Sequence, residues 1–141
     1  MSTEQNKAIV RQFIEEGINR NDFSIGEALL SDSYIEHEEL PPGVPSGVEG
    51  VKLLFTMMHN AVPDFHASIN DIIAEGDKVV VFMTWTGTQQ GELMGIPASG
   101  KQMAYNVIDI FRIVDGRVQE HWGVSDTMTM MQQLGAIPMP G

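Results

Sequence analysis

The sequence contains no cysteine among its 141 residues. This absence excludes structural disulfides and thiol chemistry, and it removes the softest ligand that proteins offer to zinc. Basic residues are also scarce: 8 Lys and Arg stand against 19 Asp and Glu, which gives a formal net charge of -11. Because such a surface repels nucleic acid and anionic lipid, we expect neither as a partner.

Long apolar runs are missing as well. No stretch approaches the roughly 20 residues that a membrane helix needs. The start, MSTEQNKAIV, lacks the basic, apolar and small-residue parts of a signal peptide. We therefore expect a cytoplasmic protein without membrane association. The length predicts one domain over residues 1–141, and the 43% of apolar residues is an ordinary globular fraction.

Helical patterns occupy the first part of the chain. Ser2 and Gln5 match a capping box, and apolar residues at helical spacing predict a helix over the first twenty residues. Two more helices are predicted at 24–30 and at about 48–61. Between them, YIEH at 34–37 predicts a short strand.

From Phe65 onward the periodicity changes to two, which is typical of strands. Strong strand patterns follow at 79–88, at 103–114 and, after a tight Asp-Gly turn, from Arg117. A short helix ending at Gly135 closes the chain. Helices before an antiparallel sheet predict an α+β fold, in which the helices pack on one face of a strongly curved sheet and close it into a cone.

The interior of such a cone is where a small-molecule site is expected. On the strand at 103–114, Asp109 shares its face with Val107, Phe111 and Ile113. Burial disfavours the charged form of a carboxylate, which makes a carboxyl useful as a base or acid near neutral pH. The alternative is a strand edge that exposes Asp109 to water or pairs it with a basic residue.

The last strand adds a histidine. His121 shares a face with Gly123, opposite Trp122, and its type is well suited to hold or shuttle a proton. Asp126 follows the strand and is either a catalytic carboxyl or the N-cap of the closing helix. His37 is surrounded by three glutamates, but the spacing is not that of a helical zinc site, and a solvated acidic edge explains them better. We expect no metal.

Several local motifs together resemble the SnoaL-like polyketide cyclase or ester cyclase family of the NTF2-like superfamily. They include Gly95-Ile96-Pro97, Phe111-Arg112 followed by Asp115-Gly116, and Glu120-His121-Trp122. The resemblance implies an NTF2-like cone that assembles as a homodimer or homotetramer. It also implies ring closure by intramolecular aldol condensation without cofactor or metal, with an aspartate as acid and base. Family members often carry that aspartate directly after the His-Trp pair, where this sequence has Gly123.

The leading hypothesis is therefore a cofactor-independent enzyme of the cyclase or isomerase type, acting on a hydrophobic carbonyl compound. Asp109 is the expected base, His121 a proton shuttle or hydrogen-bond partner, and Asp126 a further candidate. The expected substrate-binding residues are Tyr34, His37, Trp85, Asn106, Phe111 and Trp122. A second hypothesis, a non-catalytic binding module, is favoured by Gly123. A third, an interaction domain, predicts a filled cone.

Overall fold

The computed structural model describes residues 2–138, which fold into helices packed on one sheet. The helices are α1 (Thr3–Gln12), which continues as a π-helical segment (Phe13–Ile18), α2 (Ser24–Leu29), α3 (Val48–Ala61) and α4 (Thr127–Gln133). The strands are β1 (Leu30–Glu36), β2 (His66–Glu75), β3 (Lys78–Thr88), β4 (Gln102–Val114) and β5 (Arg117–Ser125). The curved sheet has the order β1-β5-β4-β3-β2, with β1 and β5 parallel and the other three pairs antiparallel. The predicted α+β cone is confirmed. The predicted domain of residues 1–141 includes Met1 and residues 139–141, which lie outside the described residues.

The first helix begins as predicted and changes its geometry midway. The backbone N–H of Gln5 donates to Ser2 Oγ (3.1 Å), and the backbone N–H of Ser2 donates to Gln5 Oε1 (2.9 Å), which completes the capping box. The second half is π-helical, which the apolar periodicity did not predict. In this half, a Cβ at Gly17 would lie 2.9 Å from the Cα of Gly26 in α2. Glycine at this position therefore permits the close approach of the two helical segments.

Strand β1 is longer than the sequence predicts. The pattern predicts a strand at 34–37 only, whereas β1 begins at Leu30, which is buried and pairs with Val118 of β5. Because β1 lies at the edge of the sheet, Asp32 and Ser33 face water, and this part of the strand has the polar sequence of a loop. Residues two apart on a strand share a face, so Tyr34 and Glu36 point in the same direction.

The three central strands follow their predictions closely. Strands β4 and β5 are joined by the expected two-residue turn, in which Asp115 (φ 51°) and Gly116 (φ 77°) both adopt the left-handed conformation. Along β4 buried and exposed residues alternate strictly up to Asp109. Asp109 pairs directly with Val81 on one side and with Gly123 on the other. This register places the acidic residue at the centre of the sheet.

The helices cover the concave face of the sheet through aromatic contacts. Phe13 packs edge-on against Phe111 of β4 at 5.7 Å between ring centroids, and Phe55 of α3 approaches Trp85 of β3 at 6.2 Å. Such edge-to-face pairs stabilise a core beyond the area that they bury. Among residues 2–138, no helix has both the length and the apolar character that crossing a bilayer requires.

Candidate active site

A cavity of about 270 Å³ lies between the helices and the concave face of the sheet. This volume is slightly below the range of about 300–1,000 Å³ that is usual for small-molecule sites. Most of the wall is apolar and comes from the π-helical segment, from α3 and from the inner face of the strands. Apolar members of the wall include Phe13, Ile18, Val51, Leu54, Phe55 and Met58.

Asp109 and His121 interrupt this apolar wall. They lie on the paired strands β4 and β5, and they are 5% and 7% exposed. His121 Nε2 lies 2.8 Å from Asp109 Oδ1. Both side chains line the cavity, and they are hydrogen-bonded to each other.

Glu36 completes the cluster and was not among the residues predicted from the sequence. Its Oε2 lies 2.5 Å from His121 Nδ1, and its Oε1 accepts a hydrogen bond from the Tyr34 hydroxyl at 2.6 Å. The acidic run after Tyr34 resembles a solvated edge, but the Glu36 side chain is only 8% exposed. The signal that identifies it is its spacing of two from Tyr34, which places both side chains on the inner face of β1.

His121 therefore lies between two carboxylates, and this position sets its charge. Burial acts to lower the pKa of His121, but the hydrogen bonds and negative charges of Asp109 and Glu36 outweigh burial and raise the pKa to about 10. Burial acts to raise the pKa of Glu36, but the hydrogen bonds from His121 and Tyr34 and the charge of His121 lower it overall. At neutral pH His121 is thus an imidazolium that donates one N–H to each carboxylate. This favours a role as hydrogen-bond donor over a role as base.

Gly123 is the residue that makes room for this pair. A Cβ at position 123 would lie 2.5 Å from Asp109 Oδ1 and 3.0 Å from His121 Nε2. Any side chain at this position would therefore press on the two atoms that form the hydrogen bond. The space beside Gly123 is filled by the carboxylate of Asp109, which reaches in from the neighbouring strand.

Three of the predicted substrate-binding residues line the cavity. They are Tyr34, Trp85 and Phe111, from β1, β3 and β4. The Trp85 indole N–H is buried and has no hydrogen-bond partner among residues 2–138.

The other three predicted residues lie on the outer side of the sheet, which corrects their expected placement. The His37 ring stacks on Trp122 with 4.7 Å between centroids, and Asn106 is exposed and accepts a hydrogen bond from Thr84 Oγ1 (3.4 Å). The physical reason is strand parity. Asn106 has the parity opposite to Asp109, and Trp122 has the parity opposite to His121.

Asp126 lies in the position that its structural alternative predicts. It is exposed at the N-cap of α4, where its Oδ1 accepts the backbone N–H of Thr129 (3.2 Å) and its Oδ2 accepts the Thr129 hydroxyl (2.7 Å). These hydrogen bonds lower the pKa of Asp126. Its neighbours Ser125 and Thr127 line the cavity, but Asp126 does not.

One group of side chains has the composition of a metal site. One oxygen each of Glu36 and Glu38 and one ring nitrogen of His121 lie within 4.8 Å of one another. A histidine ligand needs an unprotonated ring nitrogen, whereas both nitrogens of His121 donate to carboxylates. The donor chemistry therefore fits a buried ion pair better than a metal centre.

Comparisons with known proteins point to one family. The family model of the SnoaL-like polyketide cyclases matches residues 8–134. The chain is 30% identical over 110 residues to the aklanonic acid methyl ester cyclase DauD of Streptomyces sp. (strain C5), which covers 72% of this chain and 68% of the relative. It is 24% identical over 120 residues to the nogalonic acid methyl ester cyclase of Streptomyces nogalater, which covers 80% of this chain and 89% of the relative.

A solved structure of similar sequence has the same fold. TsrD from Streptomyces laurentii matches this structure with a TM-score of 0.88 and 31% sequence identity, over 97% of this chain and 99% of that one. Because the family model spans most of the sequence and the cone superposes over nearly its whole length, this chain belongs to the SnoaL-like polyketide cyclase family.

Proposed function

We propose that this protein is a cofactor-independent cyclase in which Asp109 is the general base on a hydrophobic, polyketide-like carbonyl substrate. The observation that carries the proposal is the buried pair of Asp109 and His121 in a mostly apolar cavity. A carboxylate in such surroundings is poorly solvated and therefore reactive toward a carbon-bound proton. The imidazolium beside it keeps the carboxylate in one orientation.

In this mechanism the two oxygens of Asp109 have different tasks. Oδ1 accepts the N–H of His121, while Oδ2 has no hydrogen-bond partner among residues 2–138. Oδ2 is therefore the atom that removes a proton from the carbon next to a carbonyl. The resulting enolate carbon attacks a second carbonyl carbon and closes the ring. The positive charge of His121 stabilises the negative charge that develops nearby.

The charge of the cavity supports an uncharged substrate. Asp109 and Glu36 outnumber the one imidazolium, and neither lysine nor arginine from residues 2–138 lines the cavity. A free carboxylate on the substrate would meet net negative charge, whereas a ketone or an ester would not. The relatives that act on methyl esters support the same substrate class for this chain.

The test is the variant Asp109→Asn, which keeps the shape of the side chain and removes its basicity. The methyl esters of nogalonic and aklanonic acid serve as substrates, and ring closure is followed by liquid chromatography and mass spectrometry. We expect closure to slow by roughly 10³-fold, within the usual range for general acid-base catalysis. Asn106→Ala, on the outer face of the same strand, is the control and should keep the wild-type rate. Unchanged closure by Asp109→Asn would remove Asp109 from the mechanism.

Two alternatives from the sequence are less well supported. The binding-module hypothesis rested on the glycine at 123, but the carboxylate of Asp109 occupies the adjoining space, so Gly123 no longer argues against catalysis. Binding of both esters without conversion in long incubations would restore it. The interaction-domain hypothesis predicts a filled cone, whereas the cone of this chain holds a cavity.

We also propose that the outer face of the sheet joins two copies into a homodimer, with a homotetramer as the alternative. Ile108 and Val124 pair directly across β4 and β5, and they are 46% and 74% exposed. Adjacent exposed apolar residues on a sheet favour association. Light scattering of Val124→Lys should then give the monomer mass, while an unchanged mass would exclude this face. A cytoplasmic location stays a prediction from the sequence.

A further inference from the structure

Glu38 is a carboxyl that the mechanism above leaves unused. It follows β1 in the chain, lines the cavity and is exposed at its mouth. Its backbone N–H donates to Glu36 Oε2 at 3.1 Å. One of its carboxylate oxygens lies within 4.8 Å of both a Glu36 oxygen and a His121 ring nitrogen. The Glu38 carboxyl thus stands beside the buried cluster, on its open side.

Glu38 is also the member of this cluster whose carboxyl is free for a substrate. Both oxygens of Glu36 accept hydrogen bonds, and both ring N–H groups of His121 donate to carboxylates. Among residues 2–138, no hydrogen bond engages either side-chain oxygen of Glu38. A proton on Glu38 can therefore be given to a bound molecule without breaking an existing contact.

The charges that face Glu38 come from three strands. Burial raises the pKa of Glu38, and the negative charges of Asp109 on β4 and Glu36 on β1 raise it further, against the lowering effect of His121 on β5. Tyr105 on β4 lines the same cavity, and burial together with the negative charge of Glu38 raises the pKa of its hydroxyl.

Two further carboxyls, Glu39 and Glu92, line the same cavity. Glu39 is adjacent in sequence, but it does not belong to the group of atoms within 4.8 Å of one another. The matched control for the charge and size of Glu38 is Glu75, which is exposed at the end of β2 and does not line the cavity.

We propose that Glu38 is the catalytic acid of this site: it gives its proton to the oxygen of the carbonyl that the enolate attacks, while Asp109 takes the proton from carbon. This inference rests on the proposed cyclase function. It divides between two carboxyls a task that the family resemblance assigns to one aspartate.

The step balances without a cofactor. Asp109 removes the proton, and the electron pair of the broken C–H bond forms the new carbon–carbon bond. The π electrons of the attacked carbonyl move to its oxygen, which takes the proton from Glu38, so the product is an isomer of the substrate with a new hydroxyl. Asp109 is left protonated and Glu38 ionised. Water that enters as the product leaves carries the proton from Asp109 back to Glu38.

The experiment separates the two proton transfers. Nogalonic acid methyl ester is incubated in D₂O, and two rates are measured: exchange of the carbon-bound proton and ring closure. For Glu38→Gln we expect closure to slow by about 10²-fold and exchange to stay within about threefold of wild type. Glu75→Gln should leave both rates unchanged, and Asp109→Asn should lose both. Closure by Glu38→Gln at the wild-type rate would overturn the role of Glu38, whereas wild-type exchange by Asp109→Asn would overturn only the base.

A pH profile gives a second readout. Because Glu38 must be protonated to act, wild-type closure should fall as pH rises through its raised pKa, and Glu38→Gln should lack this decline. In the substrate-free protein, ¹³C NMR of the Glu38 carboxyl should show a titration that moves to lower pH in Asp109→Asn, because the negative charge of Asp109 helps to raise the pKa of Glu38. A titration of Glu38 that does not respond to Asp109 would contradict the proposed proximity and overturn the inference.

Discussion

Two histidines lie against carboxylates on opposite faces of the same sheet, and their surroundings differ. On the inner face, His121 is buried between Glu36 and Asp109. On the outer face, His37 is exposed, and its Nε2 lies 2.5 Å from Glu120 Oε2. The residue types and distances are nearly the same in the two places.

The difference lies in what else stabilises the charges. On the outer face, Glu120 also accepts a hydrogen bond from Arg112 Nε (2.7 Å), the His37 ring stacks on Trp122, and water reaches the cluster. On the inner face, water is largely excluded, so the two carboxylates and the imidazolium depend on one another. The two histidines therefore differ in burial rather than in the presence of a carboxylate partner, and the proposed site is the buried one.

The largest difference in stability and activity between the two faces is expected when each histidine is removed in turn. His121→Ala leaves Asp109 and Glu36 buried without a cation, and we expect it to lower the free energy of unfolding by about 3–5 kcal/mol at neutral pH and to abolish ring closure. His37→Ala leaves the outer carboxylate with Arg112 and water, so closure should stay at the wild-type rate. Urea unfolding and the cyclase assay measure both effects. Equal losses in the two variants would contradict the comparison.

The pH dependence of stability should also arise from the inner histidine, His121. The pKa of His121 in the folded protein, about 10, lies above its ordinary value of 6.5, so its contribution is complete below pH 6.5 and is lost as pH rises through about 10. Glu36 has a lowered pKa and acts in the opposite sense, with a contribution present above its ordinary value of 4.5 and lost as pH falls through its folded pKa.

We therefore expect the free energy of unfolding to fall between pH 6.5 and pH 10, with a slope of at most about 1.4 kcal/mol per pH unit from this group. Urea titrations across this range measure the slope. It should persist in His37→Ala and vanish in His121→Ala. A wild-type stability that is flat over the same range would contradict the charge assigned to His121.

A change of a single methyl group should affect stability differently on the two faces of the sheet. Gly123→Ala places a Cβ 2.5 Å from Asp109 Oδ1, so we expect a loss of about 1–3 kcal/mol in stability together with slower ring closure. The control is Ile73→Val, at a position 59% exposed on the outer face of β2, where the change in stability should stay within about 0.5 kcal/mol. Full activity in Gly123→Ala would show that the geometry of the ion pair does not matter for the reaction.

The smallest effect is expected at Asp126. Asp126→Ala removes the N-cap of α4, so a slight decrease in melting temperature should accompany an unchanged rate of ring closure. Calorimetry and the cyclase assay check the two parts. If closure fell by orders of magnitude while the melting temperature stayed the same, the carboxyl would belong to the chemistry instead of the cap.

Local patterns in the sequence are sufficient to predict much of this arrangement. The period-two alternation places Asp109 and His121 on the inner face of their strands, and a polar capping pattern correctly locates the start of α1. The same alternation, applied strictly, also puts Asn106 and Trp122 on the outer face. The prediction that Asn106 and Trp122 bind the substrate followed residue type instead of this parity.

Glu36 is different, because its role depends on pairing between distant segments. β1 joins β5 as a parallel edge strand, with Glu36 opposite His121 in a register that shifts after Leu30. No local pattern specifies a register between strands some 85 residues apart in the chain. The surroundings of Gly123 also depend on strand pairing. The sequence shows that the expected aspartate is absent at this position, but only the pairing of β4 with β5 shows that the Asp109 carboxylate occupies the space beside it.

The central claim is that Asp109, on the inner face, takes a proton from carbon. The most direct test is deuterium exchange into nogalonic acid methyl ester, followed by NMR for wild type and Asp109→Asn. The account predicts rapid exchange next to the reacting carbonyl with wild type, and exchange at least about 10²-fold slower with the variant. Exchange at the same rate with both proteins would contradict it.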